Sequence, residues 1–269
     1  MTAASLFEPV DGGRWLPTAR ARGPWSPEAL HGGPTAALLT RAVESAPADA
    51  PVQLARITVE LLRPVPVAPL AVRVEVLRPG RKVQLVGASV VAGEVEVARA
   101  VALRIRAAAV DIGEHAAEHA GPVDPEPAPP MPEAQQRPKL EEEWEAFHNE
   151  GVEMRFVGGF FRERGPATVW IRLRQPVVPG EEPSPAQRVA AVADFGNGVS
   201  SEVPWEEFAF INPDLTIHLS RPPAGEWVCL DARTFLNSGA GVGLAESALY
   251  DEQGRIGRSV QSLLLERRV

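Results

Sequence analysis

The chain has 269 residues, more than one typical domain of about 100–150 residues but enough for two small ones or a single large core. Hydrophobic residues make up 45% and charged residues 23%, so a sizeable interior can form and a wholly disordered chain is excluded. A net charge of −8 argues against general affinity for nucleic acid, because phosphate neutralisation needs a cationic face.

The charge is uneven. Residues 1–110 carry 13 Lys/Arg against 9 Asp/Glu, residues 111–150 carry 2 against 11, and residues 151–269 carry 12 against 15. No run approaches the roughly 20 apolar residues of a membrane span, and the first residues lack a basic leader followed by an apolar stretch. The expectation is a cytoplasmic protein. The single cysteine, Cys229, can form neither an internal disulfide nor a Cys-rich zinc site, and its strand context (WVCLDART) reads as a small buried residue.

In chain order, a short strand over Gly13–Leu16 precedes His31-Gly32-Gly33-Pro34, which opens a helical run, TAALLTRAVESA. Pro34 falls near the first turn, where a missing N–H costs nothing, and Pro47 stops the run. Four strand-like segments follow, Gln53–Leu62, Leu70–Arg78, Val83–Val91 and Val95–Arg106, rich in β-branched residues and punctuated by glycine.

The acidic middle is proline-rich from Gly121 to Pro138, which suits neither an interior strand nor a helix. A short acidic helix or turn is expected at Leu140–Phe147, with Trp144 and Phe147 as a small docking face. The expected organisation is an N-terminal domain over 1–112, a linker with a short helix over 113–150 and a C-terminal domain over 151–269.

The second half repeats the order of the first. A strand over Thr168–Leu173 precedes Ser184-Pro185-Ala186-Gln187, which opens the helix RVAAVADF; strands are then expected at Phe208–Leu219, Trp227–Leu236, Val242–Tyr250 and Ile256–Arg267. ITVELLRP at residue 57 matches LTIHLSRP at residue 215, 158 positions on, and RAVA at residue 99 faces RSVQ at residue 258. So long a period is a whole domain rather than a solenoid unit. One helix wrapped by an antiparallel sheet, twice in one chain, is an α+β double hotdog, and one continuous sheet across both halves is expected to shield the sheet edges.

Trp25, HGGPTAALL at residue 31, ADFGNG at residue 193, the stretch from Leu215-Thr216 to Arg221-Pro222, and Ser259-Val260-Gln261 together resemble the acyl-CoA thioesterase II-like double-hotdog family. The resemblance covers nearly the whole chain except the linker. It implies hydrolysis of acyl-CoA thioesters to free fatty acid and CoA, as part of fatty acid metabolism, with no metal or redox cofactor. The family holds a water between an Asp on the second helix, a Thr or Ser on the following strand and a Gln on the last strand. Asp194 and Gln261 match the first and third positions, while the hydroxyl position falls on Asn212, a departure from the family; Thr216, a short shift away, is the alternative hydroxyl.

Thioester hydrolysis needs a carboxylate to position or activate water and donors for the developing oxyanion, without a Ser or Cys nucleophile. Asp194 lies in an apolar stretch where a helix would favour Ala or Leu; its competing reading is a helix-end carboxylate turning with Gly196-Asn197-Gly198. Gln261 stands where the first half has Ala102, which suggests one live and one degenerate site. His31, Gly32, Gly33 and Thr216 are candidate substrate contacts, the first three at a helix start, where free N–H groups and absent side chains admit a ligand. An ordinary loop-to-helix turn is the alternative. Arg56, Arg63, Arg78, Arg81 and Lys82 are candidate CoA contacts, each otherwise a solvated strand-end charge.

Other signals fall away. His115-Ala116-Ala117-Glu118-His119 has the H-x-x-E-H spacing of a zinc peptidase, but Gly121-Pro122 ends any helix at once. Gly239-Ala240-Gly241-Val242-Gly243 lies between strands with no helix after it, and no G-x-S-x-G elbow occurs. Two alternatives to the hydrolase remain: a non-catalytic acyl-CoA-binding double hotdog, and a hotdog enoyl-CoA hydratase. The latter needs an Asp–His pair, and no histidine lies near Asp194 in sequence. The acyl-CoA is the expected partner. A monomer is feasible, and homo-oligomers stay open.

Overall fold

The computed structural model describes residues 5–111, 113, 126–134 and 144–268. In the first half, a hairpin of β1 (Phe7–Val10) and β2 (Arg14–Pro17) precedes helix α1 (Gly32–Glu44). Strands β3 (Val52–Leu61), β4 (Leu70–Arg78), β5 (Val83–Ala92) and β6 (Val95–Arg106) follow. In the second half, β7 (Val152–Gly158) and β8 (Ala167–Leu173) precede α2 (Pro185–Ala193) and the single turn α3 (Gly196–Val199). Then come β9 (Phe208–Ile211), β10 (Asp214–Leu219), β11 (Val228–Asn237), β12 (Val242–Asp251) and β13 (Gly254–Arg267). The outer strands β1 and β7 are additions to the sequence expectation; each is short and gains its ladder from the strand after it.

The described strands form one antiparallel sheet, in the order β1-β2-β4-β5-β6-β3-β10-β13-β12-β11-β8-β7, with β9 also on β13. The second part of that order mirrors the first strand for strand, which is the double hotdog. At the joint, β3 pairs with β10 and Thr58 stands opposite Thr216. Their hydroxyls are 3.2 Å apart. These two residues are themselves 158 positions apart, so the local two-fold axis of the duplication passes between them.

The sheet curls around α1 and α2, which pack on each other. His31 stands at the N-cap position of α1, and α1 ends where Ser45 turns back to the Ala42 carbonyl, two residues before Pro47. The Ser184 hydroxyl accepts from the Gln187 N–H and Pro185 opens α2. Every residue of α2 from Ala186 to Ala193 is buried. Four of these eight are alanine, and their small side chains let the two helices approach closely. Leu38, Leu39 and Val189 fill the space between helices and sheet, each contributing roughly 1.5–3 kcal/mol of burial.

Two sequence expectations are corrected. Asp194 is not inside α2 but is its C-cap residue. The single strand expected over Phe208–Leu219 is broken at Asn212-Pro213, because Pro213 has no N–H to continue the ladder.

Part of the proline-rich segment is described, residues 126–134, and it lies as an extended strap across the outer face of the second half. The Trp170 indole donates to the Pro129 carbonyl at 3.1 Å, Arg155 to that of Pro132 at 3.3 Å, and the Tyr250 hydroxyl to Glu126 at 3.0 Å. Ala128 and Met131 pack there on Trp170, Trp227, Cys229 and Tyr250. The H-x-x-E-H sequence and residues 140–143 of the expected short helix lie outside the described residues. From Trp144 onward the chain bends into a single π turn, Phe147–Gly151. Trp144 and Phe147 do dock: the Trp144 indole donates to the Gly23 carbonyl at 3.2 Å, and Phe147 is fully buried.

Candidate active site

The N-terminus of α1 meets the C-terminus of α2, and the first turn of α1 carries no side chain at the point of contact. A Cβ on Gly32 would lie 2.6 Å from an Asp194 carboxylate oxygen, and one on Gly33 would lie 2.3 Å from the Ala191 carbonyl oxygen. The close approach these glycines permit is therefore that of α2. Asp194 comes to rest at a helix N-terminus, where the dipole favours negative charge.

Three side chains hold the carboxylate. His31 Nδ1 lies 2.9 Å from Oδ2, Asn212 Nδ2 donates to Oδ1 at 2.8 Å, and Gln261 Nε2 lies 3.4 Å from Oδ1. Gln261 also donates to the Asp194 carbonyl at 3.3 Å and accepts from the Asn197 N–H at 3.0 Å. Gly196 is required here as well, because a Cβ would stand 2.7 Å from Gln261 Oε1. The strand break at Pro213 is what lets Asn212 reach inward, and its amide is also tied to the Asp214 carbonyl at 3.2 Å.

His31 Nδ1 is also 3.1 Å from the Gly33 N. One nitrogen cannot accept from that N–H and donate to Asp194 at the same time. When Nδ1 carries a proton it donates to Asp194, and Nε2 is then the ring atom left to face a ligand. The ring packs against Phe147 and Phe195, at centroid distances of 5.2 and 4.7 Å, and those two rings stack on each other at 5.5 Å. With Asp194 only 5% exposed, the pair works in a dry, ring-lined setting where its electrostatics are strong.

The carboxylate opens on a cavity of about 410 Å³. His31, Gly32, Asn197 and Asn212 share its wall, and the remainder is largely apolar, including Trp25, Leu30, Val65, Phe161 and Trp205. Its lining comes from both halves of the chain. Arg63 borders it, whereas Arg56, Arg78, Arg81 and Lys82 do not.

The structure thus brings together Asp194, Asn212, Gln261, His31, Gly32 and, behind them, Gly33. It does not bring Thr216, which stays at the seam against Thr58 and outside the cavity lining. The histidine that sequence proximity could not supply to Asp194 is His31, contributed by the other half. Sequence reasoning also missed His148, Phe161 and the Asn197 N–H; only Asn197 carried a signal, standing three residues after Asp194 in the ADFGNG motif. Burial, with the Asp231 charge adding to it, pushes the Cys229 thiol up to about 12, so it offers no thiolate at neutral pH.

A double hotdog with one buried, amide-held carboxylate against an apolar cavity defines a class in which thioesterases are found. Residues 21–105 match the acyl-CoA thioesterase N-terminal domain, and residues 122–265 match the acyl-CoA thioesterase C-terminal domain. The chain belongs to the acyl-CoA thioesterase family. No curated protein matches it.

Solved structures share the fold. A conserved hot dog protein of unknown function from Alicyclobacillus acidocaldarius is 18% identical, with 97% of this chain and 95% of that one covered and a TM-score of 0.70. A protein of Thermobifida fusca YX named for thioesterase II is 16% identical, with 98% and 96% covered and a TM-score of 0.67. An acyl-CoA thioesterase II from Mycobacterium marinum is 17% identical, with 97% and 96% covered and a TM-score of 0.63. Among the described residues, no helix is long and apolar enough to cross a membrane.

Proposed function

We propose that this chain hydrolyses acyl-CoA thioesters to free acid and CoA, with Asp194, Asn212 and Gln261 positioning the attacking water. The observation that carries the reading is the buried Asp194 carboxylate at the cavity wall, held by donors from three separate elements. A carboxylate that accepts three bonds is fixed in direction, which suits it to orient a water against the thioester carbonyl. His31 completes the arrangement: with Nδ1–H on Asp194, its Nε2 can take the proton that the water gives up and return it to the departing CoA sulfur. Asn212 takes the place of the family's hydroxyl and serves by donating an N–H to the carboxylate rather than by accepting from the water.

The test is free-thiol release from a panel of acyl-CoAs. Asp194→Asn is expected to lower turnover by about 10²–10⁴-fold with folding intact. Gln261→Ala, which removes one positioned amide, is expected to lower it by about 10²-fold. Native protein that binds acyl-CoA without releasing thiol would overturn the reading and leave an acyl-CoA-binding protein.

A further inference from the structure

The cavity has a direction. Its exposed large apolar lining residues are Leu62, Ile211 and Leu264, at 44%, 42% and 48%, and they cluster where β9 stops at the Asn212-Pro213 break. Arg63 stands beside Leu62 at the same mouth and is exposed. A CoA moiety carries phosphate charge, so its anionic end belongs outside this mouth with the pantetheine arm leading in toward Asp194. The acyl group then lies along the ring-lined part of the cavity.

There it meets a wall of rings. Trp205 is its centre: it stacks on Trp25 at 4.8 Å, meets Phe210 edge-on at 4.7 Å and leans on Phe161 at 6.1 Å. Phe161 stacks in turn on His148 at 5.6 Å. Rings packed on rings do not swing aside as a leucine or methionine would, so this wall is a stop rather than a gate.

The volume sets a limit on what fits. An apolar cavity of about 150 Å³ takes a benzene, so about 410 Å³ accommodates roughly 16 non-hydrogen atoms. The thioester and the adjoining end of pantetheine occupy about six of these, leaving room for about ten.

We infer that the preferred substrates are acyl-CoAs whose acyl group has about ten carbons or fewer, and that Trp205 is the residue that sets this limit. The inference rests on the acyl-CoA reading of the cavity. Long straight chains are disfavoured because their carbons exceed the volume that the cavity walls enclose.

The experiment compares butyryl-, octanoyl-, dodecanoyl- and palmitoyl-CoA by thiol release, with native protein, Trp205→Ala and Trp25→Ala. The expected native result is a maximum near octanoyl-CoA, with kcat/KM for palmitoyl-CoA lower by about tenfold or more. Trp205→Ala should raise the palmitoyl-to-octanoyl ratio by about fivefold or more. Trp25→Ala, from the other half, tests the same wall if the first variant fails to fold, as judged by its melting curve. Equal turnover of palmitoyl- and octanoyl-CoA by native protein, or an unchanged ratio in a folded variant, would overturn the inference.

Thioether analogues of the same four lengths separate this outcome from failure of the hydrolase reading. If no acyl-CoA is turned over, a Kd that is tightest near the octanoyl analogue still supports the limit. A Kd that keeps tightening to the palmitoyl analogue rejects it.

Discussion

The two helices touch at both ends, and the two contacts differ. At one end Asp194 of α2 meets the first turn of α1; at the other, Glu44 of α1 meets the first turn of α2. Ser184 donates to Glu44 at 2.8 Å, and so does Gln187. Each contact sets an acid at the end of one helix against the start of the other. Yet Asp194 is buried behind Phe147 and Phe195 and opens on a cavity, whereas Glu44 faces solvent.

The surroundings have diverged in the same sense. Gln261 has Ala102 as its counterpart, and the break that frees Asn212 has only a bulge between Leu54 and Arg56. Where a second site would lie, the buried Arg104 donates to the Val43 and Ala46 carbonyls at 3.0 and 2.8 Å and seals the end of α1. The two halves have diverged so that one helix junction carries buried polar groups on a cavity while the other is closed by Arg104.

Exchanging charge for amide at the two acids should separate the junctions most sharply. Asp194→Asn is expected to cost about 10²–10⁴ in thiol release. Glu44→Gln should leave the rate within about twofold and stability within about 1 kcal/mol, as for an exposed contact. Equal losses in the two variants would erase the distinction.

Gly33→Ala comes next. The added methyl must displace the Ala191 carbonyl, so a loss of about 1–3 kcal/mol is expected in chemical denaturation, together with weaker thiol release as His31 moves from Asp194. Arg104→Met tests the sealed junction. It leaves two helix-end carbonyls without donors, at about 1–3 kcal/mol, while kcat should hold.

The smallest effect is on pH dependence. Asp251 is fully buried; burial raises its pKa, but hydrogen bonds from Arg221 and from the Ala224 and Gln253 backbone outweigh it and hold the carboxyl below the ordinary value. A depressed native pKa gives stability that is present above the unfolded-state value, near 4, and is lost as pH falls through the native one. Ala92 stands at the corresponding place in the first half, so this acid sensitivity belongs to the second. Thermal melts from pH 6 down to pH 2 should show a steeper loss for native protein than for Asp251→Asn.

Much of this was legible beforehand, for identifiable reasons. The strands β4 and β6 follow from runs of β-branched residues bounded by glycine and proline, and both helix starts from their caps. The duplication was legible because the seam strands keep both pattern and spacing. Asn212 could be placed by counting back from Arg221-Pro222, and Pro213 was a visible reason to break the strand. The pairing of His31 with Asp194 was not legible, because they are 163 positions apart and only the packing of α1 on α2 unites them. The ring wall was hidden similarly: Trp25 and Trp205 come from loops in different halves, where no periodicity marks a partner.

The composite origin of the site has a consequence for how it behaves on dilution. In a hotdog pair made of two separate chains, His31 and Asp194 would belong to different molecules, and the site would disassemble below the dissociation constant of the pair. Here one chain supplies both, and a tether of this kind sets an effective concentration on the order of millimolar whatever the amount of protein. Specific activity should therefore stay constant down to the lowest enzyme concentration that can be assayed.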